Sequence, residues 1–559
     1  MKIRHTLYFA LPALSALAAL SAHAAPVAPD AGQTIRELQK QPELNAPKPT
    51  TTLRLEENVT RRGSANDDVR IVVSAIRVSG SSAFAAGELE ALVANLVGSE
   101  HTLAELYQGA ARITAYYRER GYVIARAYLP AQDIQDGVVM VDVVEGRIGE
   151  QQIKNQSRLS DDRANSYLSG IKRGETLQAA PVERALLLLN DTPGVGGTRA
   201  TLQPGASVGT SDLVVEIDPS VPYVAKVEVD NFGNRYTGEH RLGGAVALNS
   251  PFRMGDQFVV RALTSDQDLT YARLAYQIPL GSSGFRLGAA YSNTRYRLGK
   301  EFAPLQAHGS ATSTSLFAVY PFVRSQTGNL SSTLTLEEKK LDDLTDAPVT
   351  AADKRIDLAS LGLAGNYQDT LGGAGITSFE FSLAGGRLGM DADSLAADEL
   401  TARSNGGFTR LAYSINRLQR LTDLDTLSLS LSGQQAGKNL NSSEKFSLGG
   451  ASGVRAYPQG EGFGDQGWLA SLELRHHFLA NLQGVLFYDA GAVRINHNPF
   501  VSGDNSRNIS GAGVGTNVHF FGVQFNAYVA WPTNGGQPTS EPATLDSNPR
   551  LWVQASWSP

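Results

Sequence analysis

One arginine stands inside the glycine-rich stretch Gly449-Gly450-Ala451-Ser452-Gly453-Val454-Arg455-Ala456-Tyr457-Pro458-Gln459-Gly460-Glu461-Gly462-Phe463-Gly464. Glycines allow a tight backbone path in a confined space. A guanidinium shielded from water in such a path needs a carboxylate, because it stays charged and its planar fork of donors must be filled. Asp489 is the candidate partner. It lies in Val485-Leu486-Phe487-Tyr488-Asp489-Ala490-Gly491, a strand-like run that puts the acid on the face opposite Leu486, Tyr488 and Ala490. An acid pointing away from an apolar face suits the polar interior of a barrel set in a membrane.

The other motifs with chemical potential stand in the wrong context. Gly205-Ala206-Ser207-Val208-Gly209 matches a hydrolase elbow, yet that motif needs a strand before it and a helix after it, and Ser211 to Ile217 reads as another strand. Gly462-Phe463-Gly464-Asp465-Gln466-Gly467 matches a dinucleotide fingerprint but precedes an alternating strand, with no helix N-terminus to hold a pyrophosphate. His476 and His477 are adjacent in a strand, so they face opposite sides and form no metal site. The reading therefore expects no catalytic residue, no metal and no cofactor. A net charge of -6 gives no basic footprint for nucleic acid.

The elements that position Arg455 and Asp489 come from alternation. After Val221 the chain repeats runs such as Phe285-Leu287-Ala289-Tyr291, Leu330-Ser332-Leu334-Leu336, Leu427-Leu429-Leu431 and Trp468-Ala470-Leu472-Leu474, with polar or small residues between. The span 221–559 accommodates about 16 antiparallel strands of a transmembrane β-barrel, ending in Leu551, Val553, Ala555 and Trp557. Mean hydropathy of -0.19 and 56 glycines suit such a barrel, whose strands place only alternate residues in lipid.

Ahead of the barrel the order is strand, helix, helix, strand, strand, twice over. In 69–147, Thr102 and Glu105 form a capping box ahead of Leu106, Ala110, Ile113 and Tyr117 at helical spacing, and Val138 to Val144 is a strand. In 148–220, Asp161 to Leu168 is helical, Pro181 opens a second helix through Leu186 and Leu189, and Thr198 to Leu202 and Asp212 to Ile217 close the unit. Earlier still, Asp30 caps a short helix to Gln41 with Ile35 and Leu38 on its apolar side; Pro42, Pro47 and Pro49 then begin a flexible or extended linker, so 25–68 is helix and linker. Residues 1–24 read as a signal peptide: Lys2 and Arg4, an apolar run from Leu7 to Leu20 too short to span a bilayer, and Ala22-His23-Ala24 for cleavage. The absence of cysteine suits an exported protein built without disulfides.

Val454-Arg455-Ala456-Tyr457 resembles the VRGY/F loop of the two-partner secretion transporters, the TpsB family, relatives of BamA-type barrel-assembly proteins. Arg118-Glu119-Arg120-Gly121-Tyr122 with Val144-Glu145-Gly146-Arg147-Ile148, and Leu187-Leu188-Leu189-Asn190-Asp191-Thr192-Pro193-Gly194-Val195 with Pro204-Gly205, resemble that family's first and second POTRA repeats. The resemblance implies a cell outer-membrane barrel with two periplasmic α+β POTRA domains. It implies an N-terminal plug helix in the pore, and a loop that folds into the lumen where Arg455 pairs with Asp489. Val454 and Tyr457 complete the loop motif. Ala456 departs from it, standing where the family often has Gly. The implied function is export of a large unfolded adhesin or haemolysin-type exoprotein, recognised through its N-terminal secretion domain. Outer-membrane lipids are the other expected partner, and the transporter acts as a monomer. A BamA-like insertase and a passive porin are the alternatives.

Overall fold

The computed structural model describes residues 28–39, 51–55, 70–545 and 548–558. The expected signal peptide, most of the linker and the last two residues of the helix expected to reach Gln41 lie outside these residues.

Sixteen antiparallel strands close into a barrel in sequence order. They are Tyr223–Asp230, Arg241–Asn249, Gln257–Ser265, Thr270–Pro279, Arg286–Arg297, His308–Arg324, Gly328–Asp346 and Val349–Asp369, then Gly375–Met390, Gly406–Arg420, Asp425–Ala436, Gln466–Leu479, Leu482–Arg494, Ser506–Phe520, Val523–Asn534 and Arg550–Trp557. Alternation sorts the faces as expected: Leu242, Leu316, Leu361, Leu383, Leu429, Leu472, Leu486 and Val514 point outward and are exposed. The seam is short. The first and last strands pair only from Val227↔Trp557 to Asp230↔Gln554, whereas the last strand pairs with its other neighbour from Val523↔Trp557 to Ala530↔Arg550.

Two mixed modules precede the barrel. The first has a three-stranded sheet and the helices α2 (Ala86–Ala91) and α3 (Leu103–Glu119); the Thr102 hydroxyl accepts from the Glu105 amide while the Glu105 carboxylate accepts from the Thr102 amide. In the second, α4 (Asp161–Leu168) and α5 (Ala179–Asp191) pack on a four-stranded sheet. Helix α5 begins two residues before Pro181, which a first helical turn tolerates because its amides lack intrahelical acceptors. The Gly205 to Gly209 motif is the hairpin between Gly197–Pro204 and Thr210–Asp218.

The second module sits on the barrel's short turns. Arg163 donates to the carbonyls of Met254, Pro279 and Gly281, Arg184 donates to that of Pro321, and Arg324 pairs with Asp191 at 2.6 Å. This fixes the direction of the chain: the short turns lie on the side of the modules, and 437–465, between the eleventh and twelfth strands, starts from the opposite end.

The described part of the linker is extended and paired. Thr52–Leu55 is a strand that pairs in parallel with the edge strand Gly197–Pro204, in register Thr52↔Arg199 to Leu55↔Leu202. The lumen departs from expectation. Instead of a uniformly polar interior it carries a buried apolar cluster with Leu263, Tyr271, Tyr296, Leu341, Ile356, Leu388 and Phe408. The cause is inside the barrel: helix α1 (Ala31–Gln39) contributes Ala31, Ile35 and Leu38 to that cluster, and an apolar side lodged in a lumen needs apolar partners.

Candidate functional site, a loop and a helix inside the barrel

Two segments that are not part of the wall fill the lumen. The first is the loop 437–465. Its short hairpin pairs Phe446 with Gly464 and Ser447 with Phe463, and Phe446, Leu448, Val454, Ala456 and Tyr457 are buried against Val485, Phe487, Val493, Ile509 and Ala530 of the wall. Ala456 lies outside the left-handed region, so the family's glycine is not required by the backbone at this position. A glycine is required opposite: a Cβ on Gly511 would come within 2.3 Å of the Ala456 Cβ.

Arg455 is 5% exposed, and three strands converge on it. Its Nε donates to Asp489 Oδ2 at 2.8 Å and its Nη2 to Asp489 Oδ1 at 2.8 Å; its own backbone amide donates to the same carboxylate at 3.1 Å. The fork is therefore bidentate, the geometry that makes an arginine–carboxylate pair specific. Sequence reading missed the rest of the cage. Glu473 Oε1 lies 2.7 Å from Nη1, Ser471 bridges Arg455 Nη2 to Asp489 Oδ1, and the Phe487 ring lies 3.5 Å below the guanidinium carbon. The indole of Trp552 donates to the Arg455 carbonyl at 2.7 Å. Burial works against the charged guanidinium, but hydrogen bonds and charge from Asp489, then Glu473, hold its pKa above the ordinary value.

Flanking residues fasten the loop further. The Tyr457 hydroxyl donates to the carbonyls of Asn534 and Gly536. Fully buried Glu461 pairs with Arg507 at 2.8 Å and accepts the amides of Thr539 and Ser540. The Val454 side chain is buried and packs on apolar neighbours, while its amide donates to the Leu448 carbonyl and its carbonyl accepts the Tyr457 amide. Fully buried Glu444 pairs with Lys339 at 2.6 Å and Arg410 at 3.2 Å.

The second segment is α1. Asp30 caps it by accepting the Gln33 amide at 2.8 Å, and its other oxygen accepts the Ser442 hydroxyl at 2.7 Å, so the helix rests on the loop. Gly32 is the point of closest approach: a Cβ there would meet Ser442 Oγ at 2.2 Å. Among the described residues the wall's polar hold on the helix is the Ala31 amide to Asp343 at 2.7 Å, Gln39 to Glu337 at 3.2 Å and Asn234 beside Glu37. Arg36 lies within electrostatic reach of Glu444, Glu337 and Arg410, yet its buried Nε has no hydrogen-bond partner among the described residues. An unmatched buried donor costs about 1–3 kcal/mol, so the seat is specific but not optimised. Half-buried Glu37 is pushed up to about 7 by its enclosure, against the opposing effects of Gln33 and Arg241.

The two histidines are apart: His476 contacts Asp425 at 2.7 Å and His477 contacts Gln483 at 3.0 Å. Phe463–Gly464 and Gln466 are strand residues, so the second glycine motif opens no helix.

The family model described as haemolysin secretion/activation protein ShlB/FhaC/HecB matches residues 209–518, and one described as POTRA domain, ShlB-type, matches 71–146. The heme/hemopexin transporter protein HuxB of Haemophilus influenzae (strain 86-028NP) is 31% identical over 414 residues, 72% of each chain. The outer membrane transporter CdiB of Dickeya dadantii (strain 3937) is 27% identical over 472 residues, 82% of each. Among solved structures, CdiB from Escherichia coli superposes with a TM-score of 0.71 at 20% identity, covering 95% of this chain and 96% of that one, which speaks to the fold. A sixteen-stranded barrel behind POTRA modules, with an arginine loop locked in its lumen, and these matches over most of its length together place the chain in the ShlB/FhaC/HecB family of outer-membrane two-partner secretion transporters.

Proposed function

We propose that this outer-membrane transporter captures its secreted partner in the periplasm through the two modules, divided at 69–147 and 148–220, and passes it unfolded through the lumen of the barrel, 221–559. The observation that carries this reading is the lumen itself: its contents, α1 and the loop 437–465, are separable from the wall, and α1 is held by few polar bonds. Capture has a physical basis in the second module. Its edge strand Gly197–Pro204 already takes an extended segment, Thr52–Leu55, through backbone pairing, the mode by which an unfolded chain adds to a sheet. The relatives' names point to heme/hemopexin and haemolysin clients, and a large adhesin or haemolysin-type exoprotein with an N-terminal secretion domain is the partner proposed here. A barrel closed within one chain supports a monomer as the proposed unit of function, and its outward leucines are the surface proposed to meet outer-membrane lipid. The reading assigns it no catalytic step.

Deleting residues 69–220 is expected to abolish export while leaving a heat-modifiable barrel in the outer membrane, because capture and lipid contact occupy different segments. Export persisting at matched barrel levels in that deletion would count against capture by the modules.

A further inference from the structure

Below the end of α1 the lumen opens into a cavity of about 490 Å³. Its charged lining is one-sided: Lys226, Arg261, Arg273 and Arg286, with Glu228 as the single carboxylate. The strand registers stack most of these charges in one row. Lys226 opposes Ala245, Ala245 opposes Arg261, Arg261 opposes Arg273, and Arg273 opposes Ser292. Arg261 and Arg273 are thus directly cross-strand partners, an arrangement of like charges that destabilises a sheet. Glu228 is already occupied, at 2.8 Å from Lys226 and 3.0 Å from Arg261. Arg273 and Arg286 have no carboxylate within ion-pair distance among the described residues, while Arg241, Lys339, Lys354, Arg410, Arg455, Arg475, Arg507 and Arg550 on the same lumen do. The two strands beyond Arg286 offer Ser315, Thr333 and Thr335, hydroxyls that bring no counter-charge. Leu38 and Gln39 line it, so α1 stands over the row at rest.

We propose that this cationic cavity, with Arg273 in the row and Arg286 further along the next strand, is a carboxylate-binding station on the export path. Asp and Glu side chains of the extended client rest on Arg273 and Arg286 as the client enters the space below α1, supplying the counter-charge that the wall lacks. The site takes acidic segments of an unfolded polypeptide and holds them loosely, because half-solvated guanidiniums attract without desolvating their ligand. This rests on the reading that the client travels through the lumen, and the test separates the two.

The full chain, with Ile35→Ser and Leu38→Ser to loosen α1, is placed in planar bilayers and challenged from the periplasmic side with ten-residue oligo-glutamate, oligo-lysine and oligo-glutamine. Oligo-glutamate is expected to block the current at a concentration about tenfold lower than oligo-lysine at low salt, with the preference fading at 1 M salt. Arg273→Gln with Arg286→Gln removes the preference, and the barrel remains folded because repulsion has been relieved. Binding of fluorescent oligo-glutamate to the detergent-solubilised full chain and to the same double glutamine variant gives a second readout that needs no conductance. Equal block and equal binding by the oppositely charged peptides, or a preference unchanged in the double variant, would overturn the station and leave lumenal export standing. Block by none of the three peptides in a conducting pore would count against the lumenal path itself.

Discussion

Replacing Arg455 by Ala is expected to reduce export at least tenfold at matched barrel levels and to make 437–465 accessible to external protease. The substitution leaves Asp489, which is fully buried, with only the Ser471 hydroxyl and the Arg455 backbone amide. Breaking a buried pair by removing one partner costs about 3–5 kcal/mol. Glu473 is affected less, because Arg475 lies 2.6 Å from it. The same asymmetry ranks the variants. Asp489→Ala leaves the guanidinium with Glu473 and the Phe487 ring, so it is milder than Arg455→Ala. The double variant removes both members of the bidentate pair and is no worse than the worse single change, the non-additivity expected of residues in contact. Arg455→Lys keeps the charge but loses the fork and is expected to fall between wild type and Ala. Export and protease accessibility measured on the same four variants check the ranking; fully additive defects would mean that Arg455 and Asp489 act apart.

The second large effect concerns α1. Ile35→Ser with Leu38→Ser removes most of its apolar seat, and the current through the resting barrel in planar bilayers is expected to rise severalfold above that of the wild-type chain. Each deleted side chain forfeits about 2–4 kcal/mol of burial, which few polar bonds replace. The current is also expected to depend on pH in the wild-type chain. Glu37 titrates near 7 when α1 is seated and near the ordinary glutamate value, 4.5, when it is free, so seating takes up a proton between these values. The seat is therefore tightest when Glu37 is protonated, weakens as pH rises from about 5 to 7, and is constant above that. Open probability should rise over this window and flatten beyond it. Glu37→Gln, which is neutral throughout, should abolish the rise; an unchanged pH profile in that variant would remove Glu37 from the latch.

Much of this arrangement was legible in the chain because it follows from period and parity. Asp489 was identifiable as a lumenal acid once Leu486 and Tyr488 were assigned to lipid, and Arg455 stood out as a lone cation among glycines. Glu473 obeys the same parity, opposite Leu472 and Leu474, but only the register Ser471↔Asp489 brings it to the same guanidinium. Register is a property of two strands, and no single run encodes it. Trp552 was hidden differently. The alternation of the last strand rests on its outward residues Leu551 and Val553 and says nothing of the inward indole between them, although a bulky aromatic at a lumenal position signals a packed occupant. The apolar cluster around α1 escaped because positions such as Leu263, Leu341 and Ile356 simply break the alternation. Their meaning depends on a helix more than 200 residues away in sequence. Thr52–Leu55 carries no pairing signal of its own behind the prolines that precede it; its strand partner is the neighbouring sheet edge.

The central claim, that the client leaves through the lumen past a displaced α1, is tested most directly by photo-crosslinking an export intermediate. A partner exoprotein arrested by a tightly folded C-terminal block would be held in full-length transporters carrying a photoreactive residue at one of four positions. Phe317 and Thr335 line the lumenal cavity, while Leu316 and Leu336 are exposed on the lipid face of the same two strands. Crosslinks to the arrested chain from positions 317 and 335, and none from 316 and 336, are the expected result. Crosslinks confined to the lipid-facing pair, or to neither pair while export proceeds, would contradict lumenal passage.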